Sequence, residues 1–216
     1  MSSAMTKDQQ KAFQAEMVKY DLKASDALPN IDTSNSGSGL TLSADPNQTD
    51  QAPSGWLMAT NIQHLKDQIG INNADIASGN VTDQHITYPP AASAKLKSLC
   101  HSTKDGCELE SVLNTQHRDE KSHVAAAQLA FVMGHSDKVK EYETAINTIS
   151  FPKPMTVPVF SAENVVVKKG APLKITGDNN QPVIVNFGSV TIEEGAEIIV
   201  TGGAIKWTSQ SFTQDQ

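Results

Sequence analysis

An internal duplication near the C-terminus constrains the fold more than any other feature of this 216-residue chain. Asn164-Val-Val-Val-Lys-Lys-Gly-Ala-Pro-Leu-Lys-Ile-Thr-Gly-Asp178 aligns without a gap on Ser189-Val-Thr-Ile-Glu-Glu-Gly-Ala-Glu-Ile-Ile-Val-Thr-Gly-Gly203, at an offset of 25 residues. Val165/Val190, Gly170/Gly195, Ala171/Ala196, Thr176/Thr201 and Gly177/Gly202 are identical. Val167/Ile192, Leu173/Ile198 and Ile175/Val200 keep the apolar positions apolar. Each copy reads as strand, glycine turn, strand, with Val183-Ile-Val-Asn186 following the first copy and Ala204-Ile-Lys-Trp207 following the second across a shorter corner. A period in this range is the signature of stacked repeat units, so a two-coil β-solenoid-like module is expected. A compact antiparallel sheet is the alternative, with Lys168-Lys169-Gly170 and Glu193-Glu194-Gly195 as hairpin turns. Stacked coils would set Lys168 and Lys169 over Glu193 and Glu194. They would also leave strand edges unpaired, and such edges need a cap or a partner.

Upstream of Pro152, Pro154 and Pro158 the pattern changes from β-branched to helical. Thr6-Lys-Asp-Gln9 has capping-box spacing, and Phe13, Met17, Tyr20 and Ala24 recur at helical period, predicting a helix over 6–26. Residues 31–55 are dominated by Asp, Thr, Ser, Asn, Gly and Pro, and are expected to form a polar linker with a short strand at Gly39–Ser43. Further helices are predicted from Trp56 to Ile69, from Ser93 to Leu99, from Glu108 to Met133, and after Ser136. The fold class expected is therefore α+β, with a mainly helical domain at 1–150 and the duplicated β-module at 151–216.

Charge removes several functional classes. The chain carries 17 basic and 24 acidic residues, a formal net charge of −7, and Arg118 is its single arginine. A nucleic-acid partner is not expected, because such proteins present a basic, arginine-bearing face to phosphates. The longest apolar stretch, Val124 to Met133, is interrupted by Gln128 and too short to cross a bilayer, so no transmembrane insertion as a monomer is expected. Met1–Lys7 has no secretory h-region, which predicts a cytoplasmic chain or one that leaves by a leaderless route.

Motifs that carry chemistry are few. Glu120 and His123, three residues apart on a predicted helix with His117 near the same face, form half of a carboxylate-bridged metal site. A second Glu-x-x-His is missing from the sequence, so the stretch reads first as a solvated helical face. Cys100 and Cys107 flank a turn-like loop and could pair as a disulfide or stand as inert thiols. Their spacing is too wide for the paired thiolates of a zinc knuckle. The sequence holds no Gly-x-Ser-x-Gly, Walker-type loop or dinucleotide fingerprint.

These observations predict a non-enzymatic structural or interaction protein, without a cofactor, that forms a homo-oligomer or binds a protein partner through its β-module and helices. The residues expected to carry association are Val165, Val167, Leu173, Ile175, Val190, Ile192, Ile198, Val200 and Trp207. Trp207 is expected to cap the open end of the module or anchor a partner. Two alternatives stand beside this expectation: a leaderless secreted effector or toxin whose β-module binds a glycan or cell-surface protein, and a metal-dependent hydrolase using His117, Glu120 and His123.

Overall fold

The computed structural model describes residues 5–103, 105–177, 181–202 and 205–215. Asp178 and Gly203, which end the two copies of the duplication, and Ala204 beyond them lie outside the described residues. The chain contains both helices and parallel sheets and divides into two compact units. One comprises residues 1–57 and 156–216, the other 58–155. This division differs from the expected 1–150 and 151–216, because the N-terminal segment supplies strands to the sheets of the C-terminal segment.

In the first unit, Ile31–Asp32 (β1), Met155–Val167 (β4), Val183–Ile192 (β6) and Ile205–Gln214 (β8) form one sheet in that order, and Gly55–Ala59 (β3) also pairs with β4. Leu40–Ser43 (β2), Leu173–Thr176 (β5) and Ile198–Thr201 (β7) form a second sheet. The pairs β1/β4, β4/β6 and β6/β8, and β2/β5 and β5/β7, are all parallel, which overturns the antiparallel alternative. The turns at Lys168–Ala171 and Glu193–Ala196 do form, closed by Ala171 N–H to Lys168 O (3.0 Å) and Ala196 N–H to Glu193 O (2.9 Å). The positive φ that each turn requires falls on Gly170 (76°) and Gly195 (72°). Their flanking strands belong to different sheets, so these turns are corners and not hairpins. The expected self-contained two-coil module is likewise replaced, since β1 and β2 extend both sheets from the 31–55 segment.

The duplication sets the register. Val159 to Val167 pair with Ile184 to Ile192, and Leu173 to Thr176 with Ile198 to Thr201, each 25 residues on. Equivalent side chains therefore lie directly over one another. Stacking gives hydrogen bonds between Ser189 Oγ and Asn164 Oδ1 (2.7 Å), Thr176 and Thr201 hydroxyls (3.1 Å), and Asn186 Nδ2 and Ser161 Oγ (3.2 Å). Between the sheets, apolar columns such as Ile31–Val165–Val190 and Leu40–Leu173–Ile198 build the core. The pairing of β4, β6 and β8 passes over Glu163, Gly188 and Gln210, where each strand bends and its inward parity flips. Thus Val183, Val185 and Phe187 face the core before the bend, and Val190 and Ile192 after it.

The other face of the first sheet is covered by Lys7–Lys19 (α1), so β6 is buried along its whole length. Burial on both faces explains why Val-Ile-Val-Asn-Phe-Gly-Ser-Val-Thr-Ile reads as a run and not an alternation. The capping box at α1 forms as its sequence indicates, with Thr6 and Gln9 exchanging hydrogen bonds. The helix ends at Lys19, earlier than the expected 26, because Asp21 takes a positive φ of 56°. Phe13, Met17 and Tyr20 form its buried stripe. Burial raises the Tyr20 phenol well above its ordinary value, reinforced by Glu16, whose carboxylate accepts its hydrogen bond at 3.0 Å.

The second unit is helical: Ile62–Ile69 (α2), Asn73–Ala77 (α3), Ala94–Ser102 (α4), Gly106–Gln116 (α5), Arg118–Met133 (α6) and Glu143–Ser150 (α7), with a 3-10 segment at Ser136–Tyr142. The predicted single helix from Glu108 to Met133 is broken at His117 (φ −142°, ψ 53°). Trp56, expected to open a helix, lies in strand β3; the helix begins after Asn61, whose side chain accepts from His64 N–H. Lys66 is buried here, and its ammonium donates to the Ile71 carbonyl (2.6 Å) just beyond α2 and to the carbonyls of Gly134 (2.9 Å) and Phe131 (3.0 Å) at the C-terminal end of α6. A cation at that end is favoured by the helix dipole and satisfies carbonyls that lack intrahelical partners.

Two substitutions test this packing. Gly188→Ala places a methyl against the Glu163 carbonyl and Met5 at the stacked bend, and is expected to lower unfolding free energy by about 2 kcal/mol. Lys66→Met strands two buried carbonyls and a part-buried one and is expected to cost ~2 kcal/mol or more. Urea unfolding followed by circular dichroism reads both.

Candidate association surface

The two ends of the stacked sheets differ. At the first end, β2 is closed by the loop that follows it. Thr41 N–H donates to the Asp50 carboxylate (2.7 Å), Asp50 N–H returns to Thr41 O (2.9 Å), and Ser43 N–H donates to Thr49 Oγ1 (3.3 Å). The other edge strands there, both paired with β4, are the two-residue β1, which Thr33–Ser36 leaves as a 3-10 turn, and β3. Thr33, fully buried, accepts from Lys168 N–H at 2.9 Å. The 31–55 segment is thus a cap and not the expected linker.

At the second end, β7 and β8 terminate their sheets. Among the described residues, no layer covers the inward columns beyond β7 and β8. Leu173, Ile175, Val185 and Val190 are fully buried, and the residues stacked on them are Ile198, Val200, Trp207 and Phe212. Val200 is 55% exposed and Phe212 56%, while Ile198, Ile205 and Trp207 are half-buried against the core. Trp207 meets Phe187 edge to face, with centroids 5.2 Å apart and planes at 89°, and its Nε1–H donates to Ser209 Oγ (3.2 Å). Its placement over the core is that of a partial lid. Along the rim, Ile199 adds a further exposed aliphatic side chain, and β8 carries one charge, Lys206, with Asp215 just beyond it. Native edges are ordinarily blunted by short strands, proline or repeated charges; ten-residue β8 has none of these in quantity.

The corner beside this end is held electrostatically. Lys168 Nζ lies 2.6 Å from Glu193 Oε1 and 4.0 Å from Asp32. The hydrogen bond to Glu193 raises the Lys168 ammonium above its ordinary value, and the same bond lowers the Glu193 carboxyl. Asp32 is also lowered, first by its Ser34 hydroxyl bond. Lys168 thus stacks on Glu193 as the offset requires; no ion pair joins Lys169 and Glu194 among the described residues, and Lys169 instead lays its aliphatic stem beside Gly195.

The residues expected to carry association separate into two groups. Val165, Val167, Leu173, Ile175, Val190 and Ile192 are interior and hold the sheets together. Ile198, Val200 and Trp207 lie at the uncovered end. Phe212 and Ile199 join them; the signal for Phe212 was its place 22 residues after Val190, the offset that the shorter corner of the second copy imposes.

The metal-site candidates do not converge. His117 sits at the break between α5 and α6, Glu120 in the first turn of α6, and His123 one turn on. Among the described residues no three His, Cys, Asp or Glu side chains are placed to hold a metal ion. One Glu120 oxygen, Oε2, is buried without a hydrogen-bond partner among those residues. The Glu120 charge is one cause of the raised Tyr142 phenol, after burial. Cys100 on α4 and Cys107 on α5 are both free thiols, and burial raises that of Cys100. No described helix is long and apolar enough to cross a membrane.

Compared with known proteins, the chain matches no family model, no curated protein and no solved structure.

The Lys168–Glu193 pair makes a pH prediction. Because the folded Glu193 carboxyl is lowered, its contribution is complete above the ordinary carboxylate range and is lost as pH falls through the folded value. Thermal midpoints of wild type and Glu193→Gln should differ near neutrality and converge in acid; a gap that persists unchanged into acid contradicts the pairing.

Proposed function

We propose that this chain is a non-enzymatic structural or interaction protein that associates through the uncovered end of its parallel sheets. One observation carries the reading: inward-facing apolar columns that are fully buried at Ile175 and Val190 finish at Val200 and Phe212, each more than half exposed. Burying an exposed valine or phenylalanine contributes about 2 kcal/mol each, and the outward backbone groups of β7 and β8, apart from the Gln210 carbonyl that accepts from Gln9 Nε2 (3.2 Å), offer directional pairing to an incoming strand. Stable interaction surfaces concentrate aromatic and aliphatic anchors in this way.

The test is sedimentation velocity from low micromolar to several hundred micromolar, on wild type, Val200→Lys and Phe212→Lys. The expected result is a mass above one chain for wild type and a single-chain mass for both folded variants, because a lysine on an open edge forbids its burial. A single-chain mass for wild type at every concentration, or variants that associate as wild type does, contradicts self-association.

A further inference from the structure

We infer that the partner at this end is a second copy of the same chain, joined about a two-fold axis through the bend of β8, so that association closes at two. The inference rests on the association reading above and fixes its geometry. Three observations lead to it.

The first is the asymmetry of the ends. Stacking the second end of one copy on the first end of another would need β2 to be open, but its outer Thr41 and Ser43 amides are already held by Asp50 and Thr49. Head-to-tail pairing of β7 on β2 is therefore blocked. The uncovered end can meet its own counterpart, and a surface that pairs with itself is isologous and closes as a dimer.

The second is parity. Before the bend at Gln210 the inward residues of β8 are Ile205, Trp207 and Ser209; after it they are Phe212 and Gln214, which stand over Val190 and Ile192. Two copies of β8 related by a two-fold run antiparallel, and inward residues must oppose inward residues. An axis between Gln210 and Ser211 satisfies this and superposes the bends. It sets Trp207 against Gln214 of the second copy and Ser209 against Phe212 of the second copy. The same axis lays β7 antiparallel on its counterpart. The apolar layer at Val200 and Phe212 is then covered on both sides.

The third is charge. The register that parity dictates places Lys206, the one charge within β8, opposite Asp215 of the second copy, and by symmetry this happens twice. Lys206 is half-buried and Asp215 exposed. Asp215 also lies within electrostatic range of Lys168, and Asp215 N–H is anchored to Ile192 O at 2.9 Å, which fixes the end of β8 in line. The opposition of these two charges follows from the register alone.

Charge reversal tests the arrangement. Sedimentation equilibrium is run on wild type, Lys206→Glu, Asp215→Lys, the double variant, and an equimolar mixture of the two single variants. Each single variant places two like-charge pairs across the axis and is expected to raise the dimer Kd about tenfold, the combined effect of two exposed pairs. The double variant restores opposite charges and is expected to return to within a few-fold of wild type. So does the mixture: when a Lys206→Glu chain meets an Asp215→Lys chain, the two introduced charges oppose each other at one contact and the native Asp215 and Lys206 at the other. Misfolded chains cannot produce that recovery. Wild-type mass is expected to level off at two chains. If wild type associates and Val200→Lys abolishes it, yet the reversals have no effect, the mixture fails to recover, or the mass grows beyond two chains, the association reading stands and the two-fold arrangement falls. If wild type is a single chain throughout, both fall.

Discussion

The structure depends on direct stacking of equivalent side chains along parallel, in-register strands. An offset of 25 residues brings valine over valine, threonine over threonine and lysine over glutamate, so each layer provides the surface on which the next is built. Parallel sheets are stable when both faces are covered, and here the inner face is filled by the opposing sheet and the outer face of β6 by α1. Small residues and short polar groups appear where the stack demands them. Gly188 passes the bend because the Glu163 carbonyl occupies the space a Cβ would need, and Asn186 spans from Ser161 Oγ to the Phe13 carbonyl.

A stack of this kind has ends, and their treatment is the informative part of the molecule. Polar side chains from residues 45–51 close one end. The other finishes in aliphatic and aromatic side chains with a single tryptophan lid. A chain that closes β2 with its own loop and leaves the other end apolar presents two unlike surfaces; a contact that pairs one surface with itself closes, whereas one that joins unlike surfaces can extend into a fibre. The helical unit at 58–155 solves a separate packing problem, in which the Lys66 ammonium gathers carbonyls at the end of α6.

Much of this was legible in the residues. The Thr6–Gln9 capping box, the strand at Leu40–Ser43, the glycine turns and the Lys168–Glu193 stack are all local or periodic signals, and each appears where the spacing put it. The role of residues 31–55 was not, because their few core residues, Ile31, Leu40, Leu42 and Ala44, are scattered through polar sequence, and backbone pairing and Asp and Thr side chains hold the rest. Nor was Trp56, since Gly-Trp-Leu-Met-Ala is too short to separate a two-residue from a 3.6-residue period. The break at His117 carries no glycine or proline to announce it. For the candidate site, the repeat identified the apolar positions of the duplication but could not rank them. Whether an apolar column ends inside or outside the fold depends on which strand is last, so Ile175 is interior and Val200, its stacked counterpart, is not.

Amide hydrogen exchange measured as a function of protein concentration tests the account most directly. Inner strands β5 and β6 should be protected at every concentration, whereas β7 and β8, the last strands of their sheets, should gain protection as concentration rises. Exchange at β7 and β8 that is independent of concentration would contradict the claim that this end is the surface through which the chain associates.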